Sequence, residues 1–175
     1  MASEPHRHEE WSVELFTLLK EAGVDLFTHV PDAGNDRLIG LAEESNDTRV
    51  VLLTSEEEGV AVCAGADLVG GRGVICMQSS GLGNCPNILS LAKGARFPIL
   101  MMITMRGDYG EQNPWQYPMG EATDEILRLM GVNIFRVDYP HELEQAVASA
   151  VGAVWPGAQS AAIVLSQKFL GSKAF

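Results

Sequence analysis

The stretch RVVLLTSEEEGVAVCAGADLVGGRGVICMQSSGLGN, residues 49–84, decides the fold. It opens on a short apolar run at 49–54 and passes through Glu56-Glu57-Glu58 into a helix-length segment ending near Val69. After Gly70-Gly71 it returns to an apolar run at 73–77. Short apolar runs rich in Val and Ile read as strands, and the longer segment between them as a helix, so the order is strand, helix, strand. The centre of that helix, 59–66, carries no charge and is apolar on every side, which predicts burial against more than one surface.

The same alternation runs outward in both directions. Upstream, Trp11, Leu15, Leu18 and Ala22 share one face of a first helix ended by Gly23, and a strand follows over 24–30. Pro31-Asp32-Ala33-Gly34-Asn35 is a turn opening a helix that carries Leu38, Ile39 and Ala42. Downstream, the turn Ser79-Ser80-Gly81-Leu82-Gly83-Asn84 leads into a helix reaching about Lys93, then a strand at 98–104. Residues 106–120 hold three Gly, two Pro, a Trp and two Tyr, which predicts one long irregular loop, a class usually functional inside a compact domain. A helix near 123–130, a strand around 132–137, a helix at 142–154 and a strand at 161–166 complete a single domain expected over 1–175, its core over about 10–170. The expected fold is α/β: a three-layer, doubly wound, mostly parallel sheet.

Composition narrows the function. The chain has 175 residues, 46% hydrophobic and 20% charged, enough to bury a full core. A net charge of −11 with no Lys/Arg cluster repels a phosphate backbone and argues against nucleic acid. No apolar run reaches the roughly 18 residues of a membrane span. The start MASEPHRHEEW lacks the basic flank and apolar stretch of a secretory signal, so the cytoplasm is the expected address. Cys63, Cys76 and Cys85 are odd in number and show no zinc-site spacing; they read as small buried hydrophobes, and no metal set is expected. An acidic protein handling a small anion must concentrate positive charge locally, so a base beside a candidate site outweighs the total.

Open α/β sheets place ligands at the carboxyl ends of their strands, where Glu56-Glu57-Glu58 stands. Helix capping competes with function here, because Ser55 with Glu58 and Thr54 with Glu57 both match a capping box. The turn at 79–83 lacks the endings of a phosphate loop and the spacing of a dinucleotide fingerprint; a neutral Ser/Gly turn suits the approach of a planar ring to the backbone. There is no nucleophile elbow, and the histidines are scattered: His6 and His8 as a solvated terminus, His29 near the strand-end surface, and His141. Arg106 opens the long loop and can grip an anion through two parallel hydrogen bonds, with Tyr109, Trp115 and Tyr117 excluding water; internal pairing with Asp108 or Glu111 is the competing reading.

Taken together, Val30-Pro31-Asp32, Glu56 with 60–65 and Leu68, Met77-Gln78-Ser79-Ser80-Gly81-Leu82-Gly83-Asn84, and Arg106-Gly107 with Gln116 and Gly120 resemble the sulfopyruvate decarboxylase α subunits and the matching half of the phosphonopyruvate decarboxylases. In that wider thiamine-diphosphate family a strand-end Glu is followed nine positions later by Gly, then by Gly and a base, then by Ser-Gly-x-Gly. Glu56 with Gly65, Gly71, Arg72 and Ser80-Gly81-Leu82-Gly83 fits without a gap, and Glu57 does not.

The resemblance implies a thiamine-diphosphate-binding fold, specifically its pyrimidine-binding domain. It implies Glu56 as the catalytic acid on the pyrimidine N1′ of thiamine diphosphate, favouring the imino tautomer, with burial raising the affinity of its carboxyl for the proton. Pro31, Ser80, Gly81 and Asn84 would join Glu56 around that ring, and Arg106, Asp32, His29 and Gln116 would face a small anionic 2-oxo acid. The family's Gly-Asp-Gly and Asn metal motif has no counterpart here, so Mg²⁺ and the diphosphate are expected on a β subunit, in a hetero-oligomer with at least two copies of each chain. Some relatives carry an acid after Pro-Gly in the first loop, whereas Ala33 follows Pro31-Asp32 here; Asp32 and His29 remain candidates to protonate the product. The implied reaction takes sulfopyruvate to sulfoacetaldehyde and CO₂. Phosphonopyruvate is the alternative substrate, and a non-catalytic assembly or regulatory subunit the alternative of another class.

Overall fold

The computed structural model describes residues 7–171, with side chains from Trp11 onward; His6, and the side chain of His8, lie outside what is described. Six strands, β1 (Leu26–His29), β2 (Arg49–Leu52), β3 (Gly73–Gln78), β4 (Leu100–Thr104), β5 (Asn133–Val137) and β6 (Ala161–Leu165), form one sheet in the order β2-β1-β3-β4-β6-β5. Every pairing is parallel, which sharpens the expected mostly parallel sheet to an all-parallel one.

Period-2 alternation divides the sheet's side chains between two cores. Val74 and Cys76, Leu100 and Met102, and Ala161 and Ile163 face helices α1 (Arg7–Glu21), α2 (Asp36–Glu44) and α6 (Leu143–Val154). Ile75 and Met77, Met101 and Ile103, and Ala162 and Val164 face α3 (Glu56–Asp67), α4 (Pro86–Ala95) and α5 (Tyr117–Met130). The α1 stripe in the core is Trp11, Leu15 and Leu19, while Leu18 is only partly buried, a spacing of four rather than the 11/15/18 set expected. All three cysteines are free and buried, as their spacing suggested.

Two elements depart from the sequence reading. Helix α5 starts at Tyr117, not near 123, because Pro118 stands in its first turn, where the missing N–H is needed by no intrahelical bond. A short helix α7 (Gln167–Leu170) follows β6, its Ser166 cap accepting from the Phe169 N–H at 3.4 Å. The central helix also differs from expectation: Gly59, Val60, Cys63 and Ala64 are buried, but Ala61 and Gly65 are exposed, and Leu68 just beyond the helix is 72% exposed. One face of α3 is packed on the sheet, and the 61/65/68 stripe on the other side is exposed among the described residues.

From β1 the chain steps to β2 on one side through α2, then crosses back to β3 on the other through α3. The carboxyl ends of β1 and β3 are therefore a switch point, where the connecting loops diverge and leave a crevice. No helix among the described residues is long and apolar enough to cross a membrane.

Candidate active site

Glu56 is the first residue of α3 and half-buried, its carboxylate turned toward the loop after β3. Asn84 Nδ2 donates to Glu56 Oε2 at 2.8 Å. The other oxygen lies against Gly81, where a Cβ would come 2.4 Å from Oε1, so only glycine leaves room for the acid. Capping falls to Glu58, whose Oε2 accepts from the Thr54 N–H at 2.7 Å, while Ser55 makes no side-chain cap bond. The three consecutive acids thus separate into a cap at Glu58, an exposed Glu57 and a site-facing Glu56. Beneath them the Cys85 thiol is pushed up to about 12, by burial first and then by the charges of Glu56 and Glu57, which leaves it an inert neutral thiol.

The first loop forms the adjoining wall. His29 ends β1, and with Pro31, Asp32, Asp36, Ile39 and Glu43 it lines an open cleft of about 420 Å³. The Asp32 carboxylate is tied to β4, Thr104 Oγ1 donating to its Oδ2 at 3.3 Å. Ser80 is half-buried beside Gly81 and makes no cap bond. Its neighbour Ser79 joins the loops after β3 and β4: the Ser79 hydroxyl donates to the Arg106 carbonyl and accepts from the Arg106 N–H, both at 3.0 Å.

The loop from Arg106 to Gln116 is ordered by side chains rather than by secondary structure. Arg106 Nε and Nη2 donate to Glu111 at 2.7 and 2.8 Å, the internal pairing that competed with anion binding in the sequence. Gln167, at the start of α7, accepts from the N–H groups of Asp108 and Tyr109 at 2.8 and 3.0 Å and donates to Glu111 at 2.9 Å. Gly107 has φ +71°, and a Cβ there would stand 2.0 Å from the Gln116 carbonyl oxygen; one on Gly120 would stand 2.2 Å from the Gly107 carbonyl oxygen. Gly107, Gln116 and Gly120 therefore meet by backbone contact. The Gln116 Oε1 is buried without a hydrogen-bond partner among the described residues. The three aromatics do not close over Arg106 as expected: Trp115 is 88% exposed, Tyr109 is exposed, and Tyr117 donates its hydroxyl to the Glu111 carbonyl at 2.6 Å.

The structure thus brings Glu56, Gly81 and Asn84 into contact, with Ser80 beside them, and groups Pro31, His29 and Asp32 at the neighbouring cleft. It places Gln116 by its backbone and Arg106 by Glu111. Glu111 and Gln167 were not anticipated as organisers. Glu111 had a local signal, an acid five residues after a loop arginine, whereas Gln167 lies 56 residues from Glu111 and offered none.

A six-stranded parallel sheet flanked by helices, with an acid–amide pair at the carboxyl ends of its strands, defines an α/β domain. The same fold occurs in the 2-oxoglutarate:ferredoxin oxidoreductase of Magnetococcus marinus, at TM-score 0.68 and 10% identity over 91% of this chain and 29% of that one. No family model matches the chain. It is 36% identical over 120 residues to the sulfopyruvate decarboxylase subunit alpha of Methanothermobacter thermautotrophicus, covering 68% of this chain and 73% of that subunit. It is 40% identical over 99 residues to the Methanococcus maripaludis subunit, spanning 56% of this chain and 59% of that one. A phosphonopyruvate decarboxylase of Streptomyces viridochromogenes is 41% identical over 105 residues, 58% of this chain but 26% of that protein. The chain belongs to the family of the sulfopyruvate decarboxylase alpha subunits.

Proposed function

We propose that this chain is the pyrimidine-side subunit of a two-subunit, thiamine-diphosphate-dependent decarboxylase that takes sulfopyruvate to sulfoacetaldehyde and CO₂. One observation carries the reading: in a chain of this family, Glu56 stands at the strand-end crevice with Oε2 held by Asn84 and Oε1 against Gly81. The residues present fit the pyrimidine end of the cofactor. The space a side chain at 81 would fill is taken by the Glu56 carboxyl, so the acid is held at the strand-end loop, where a ring nitrogen could meet it.

When bound, thiamine diphosphate supplies a nucleophilic carbon and a sink for the electrons left by CO₂. Glu56, with its carboxyl oriented by the Asn84 side chain, would hold the proton that the ring nitrogen N1′ needs. Pro31 and Ser80 would border the ring. His29 and Asp32, the latter tied to Thr104, would face the substrate from the first loop and are the candidates to return a proton to the product. Arg106 and Gln116 form the wall after β4. Mg²⁺ and the diphosphate are assigned to a β subunit, with at least two copies of each chain in the assembly. The exposed 61/65/68 stripe of α3, beginning one turn beyond the acids, supports a partner on that side.

A second substrate, phosphonopyruvate, is favoured by the 41% identity to a decarboxylase named for it, and it differs from sulfopyruvate mainly in its tetrahedral anion. The test is Glu56→Gln in the co-purified complex. Loss of about 100-fold or more in kcat with assembly intact is expected for a lost acid–base group. Near-full activity would remove Glu56 from the mechanism.

A further inference from the structure

Glu111 is buried, its side chain 1% exposed, in a loop with little regular structure. Its carboxylate accepts from six N–H groups: Arg106 Nε and Nη2 at 2.7 and 2.8 Å, the backbone of Gly107, Gln112 and Asn113 at 3.1, 3.0 and 2.9 Å, and Gln167 Nε2 at 2.9 Å. A carboxylate offers about four lone-pair sites, so Glu111 has no capacity left for a ligand. With the two amides held by Gln167, the backbone from Gly107 to Asn113 hangs on two side chains, one of them from the last helix. Arg106 in turn lines a small cavity with Asp32, Thr104 and Gln167, at the wall assigned to the substrate.

We infer that Glu111 is a positioning residue, which through Arg106 and the loop amides sets the substrate-facing wall of the site before substrate arrives. The Arg106–Glu111 pair is neutral in sum, so the wall orients the anionic end of the substrate and does not neutralise it. A carboxylate buried among donors does not readily release its charged partner, because removing one member of a buried ion pair is costly. The loop is accordingly a fixed wall and not a closing lid.

The opposite view, that Glu111 merely parks an arginine the substrate later claims, predicts the opposite sign. Removing the charge with Glu111→Gln would then free Arg106 and lower KM. Positioning predicts a KM for the anionic 2-oxo acid raised about tenfold or more, with kcat changed less, and a Arg106→Met/Glu111→Gln double variant no worse than either single change. The kinetic arm rests on the decarboxylase reading. A second arm does not: in the chain by itself, the amides of Gly107, Gln112 and Asn113 exchange slowly in the wild type and lose their protection in Glu111→Gln. If Glu111→Gln fails to fold, Gln167→Met takes its place, leaves the ion pair intact, and is expected to release the amides of Asp108 and Tyr109 and raise KM. An inactive wild-type complex with the exchange pattern as expected defeats the decarboxylase reading alone. Unchanged exchange, or a lowered KM, overturns the positioning role.

Discussion

Glu56 and Glu58, two positions apart, do different work, and the difference is testable. Glu58 accepts from the Thr54 N–H at the head of α3, so Glu58→Ala is expected to lower stability by about 1 kcal/mol in urea melts while leaving kcat of the complex unchanged. Glu56→Gln should do the reverse. Gly107 takes φ +71° with the Gln116 carbonyl where a Cβ would go, so Gly107→Ala is expected to cost more than about 2 kcal/mol, read as a lowered urea midpoint. Glu111 adds a pH signature. Its carboxyl is held well below the usual carboxylate range, chiefly by Arg106, with Asn113, Gly107 and Gln167 adding to the effect against the opposing influence of burial. A depressed folded value makes this stabilisation complete above the unfolded value of about 4.3 and lost as pH falls from there toward the folded value. The wild type should therefore lose stability more steeply than Glu111→Gln below about pH 4, and an identical acid limb would contradict the role. At this scale the strand-end position points to the triplet Glu56-Glu57-Glu58, the family resemblance selects Glu56 within it, and Arg106–Glu111 pairing is one of two readings of the loop. Position alone does not separate cap from site among the three acids, because both uses favour acids in a first turn and only the directions of their side chains differ.

At the scale of elements, the strands and most helices were legible because the sheet is buried on both faces and its strands read as short apolar runs. The start of α5 was not, since proline in a first turn and proline in a loop look alike until the following turn is seen to form. Helix α7 is too short for a periodic pattern. The uniform apolarity of α3 predicts burial against more than one surface, but within this chain only one face of the helix is covered and Ala61 and Gly65 are exposed. That asymmetry separates two glycines. Gly152 in α6 and Gly65 in α3 are both exposed, and a Cβ at either meets nothing within 4 Å. Each substitution by Ala should stabilise the isolated chain by about 0.5–1 kcal/mol through helix propensity. Only Gly65→Ala should also weaken co-purification with the β subunit, because it thickens the stripe assigned to the partner. Equal retention of both variants on a tagged partner would place the interface elsewhere.

The molecule as a whole is a well-packed sheet domain with an acid site at one end and an apolar helix stripe left open beside it. Leu68 and Val69, 72% and 84% exposed, continue that stripe past the end of α3. Leu68→Asp should leave the isolated chain folded and abolish its association with the β subunit, read by size-exclusion chromatography. Whether this chain is half of a decarboxylase is decided by aldehyde release from sulfopyruvate and from phosphonopyruvate, with thiamine diphosphate and Mg²⁺, by this chain co-expressed with the proposed β subunit and by each chain alone. Turnover of sulfopyruvate is expected only when both chains are present; turnover by this chain alone, or none of either substrate by an assembled complex, would show that it is not.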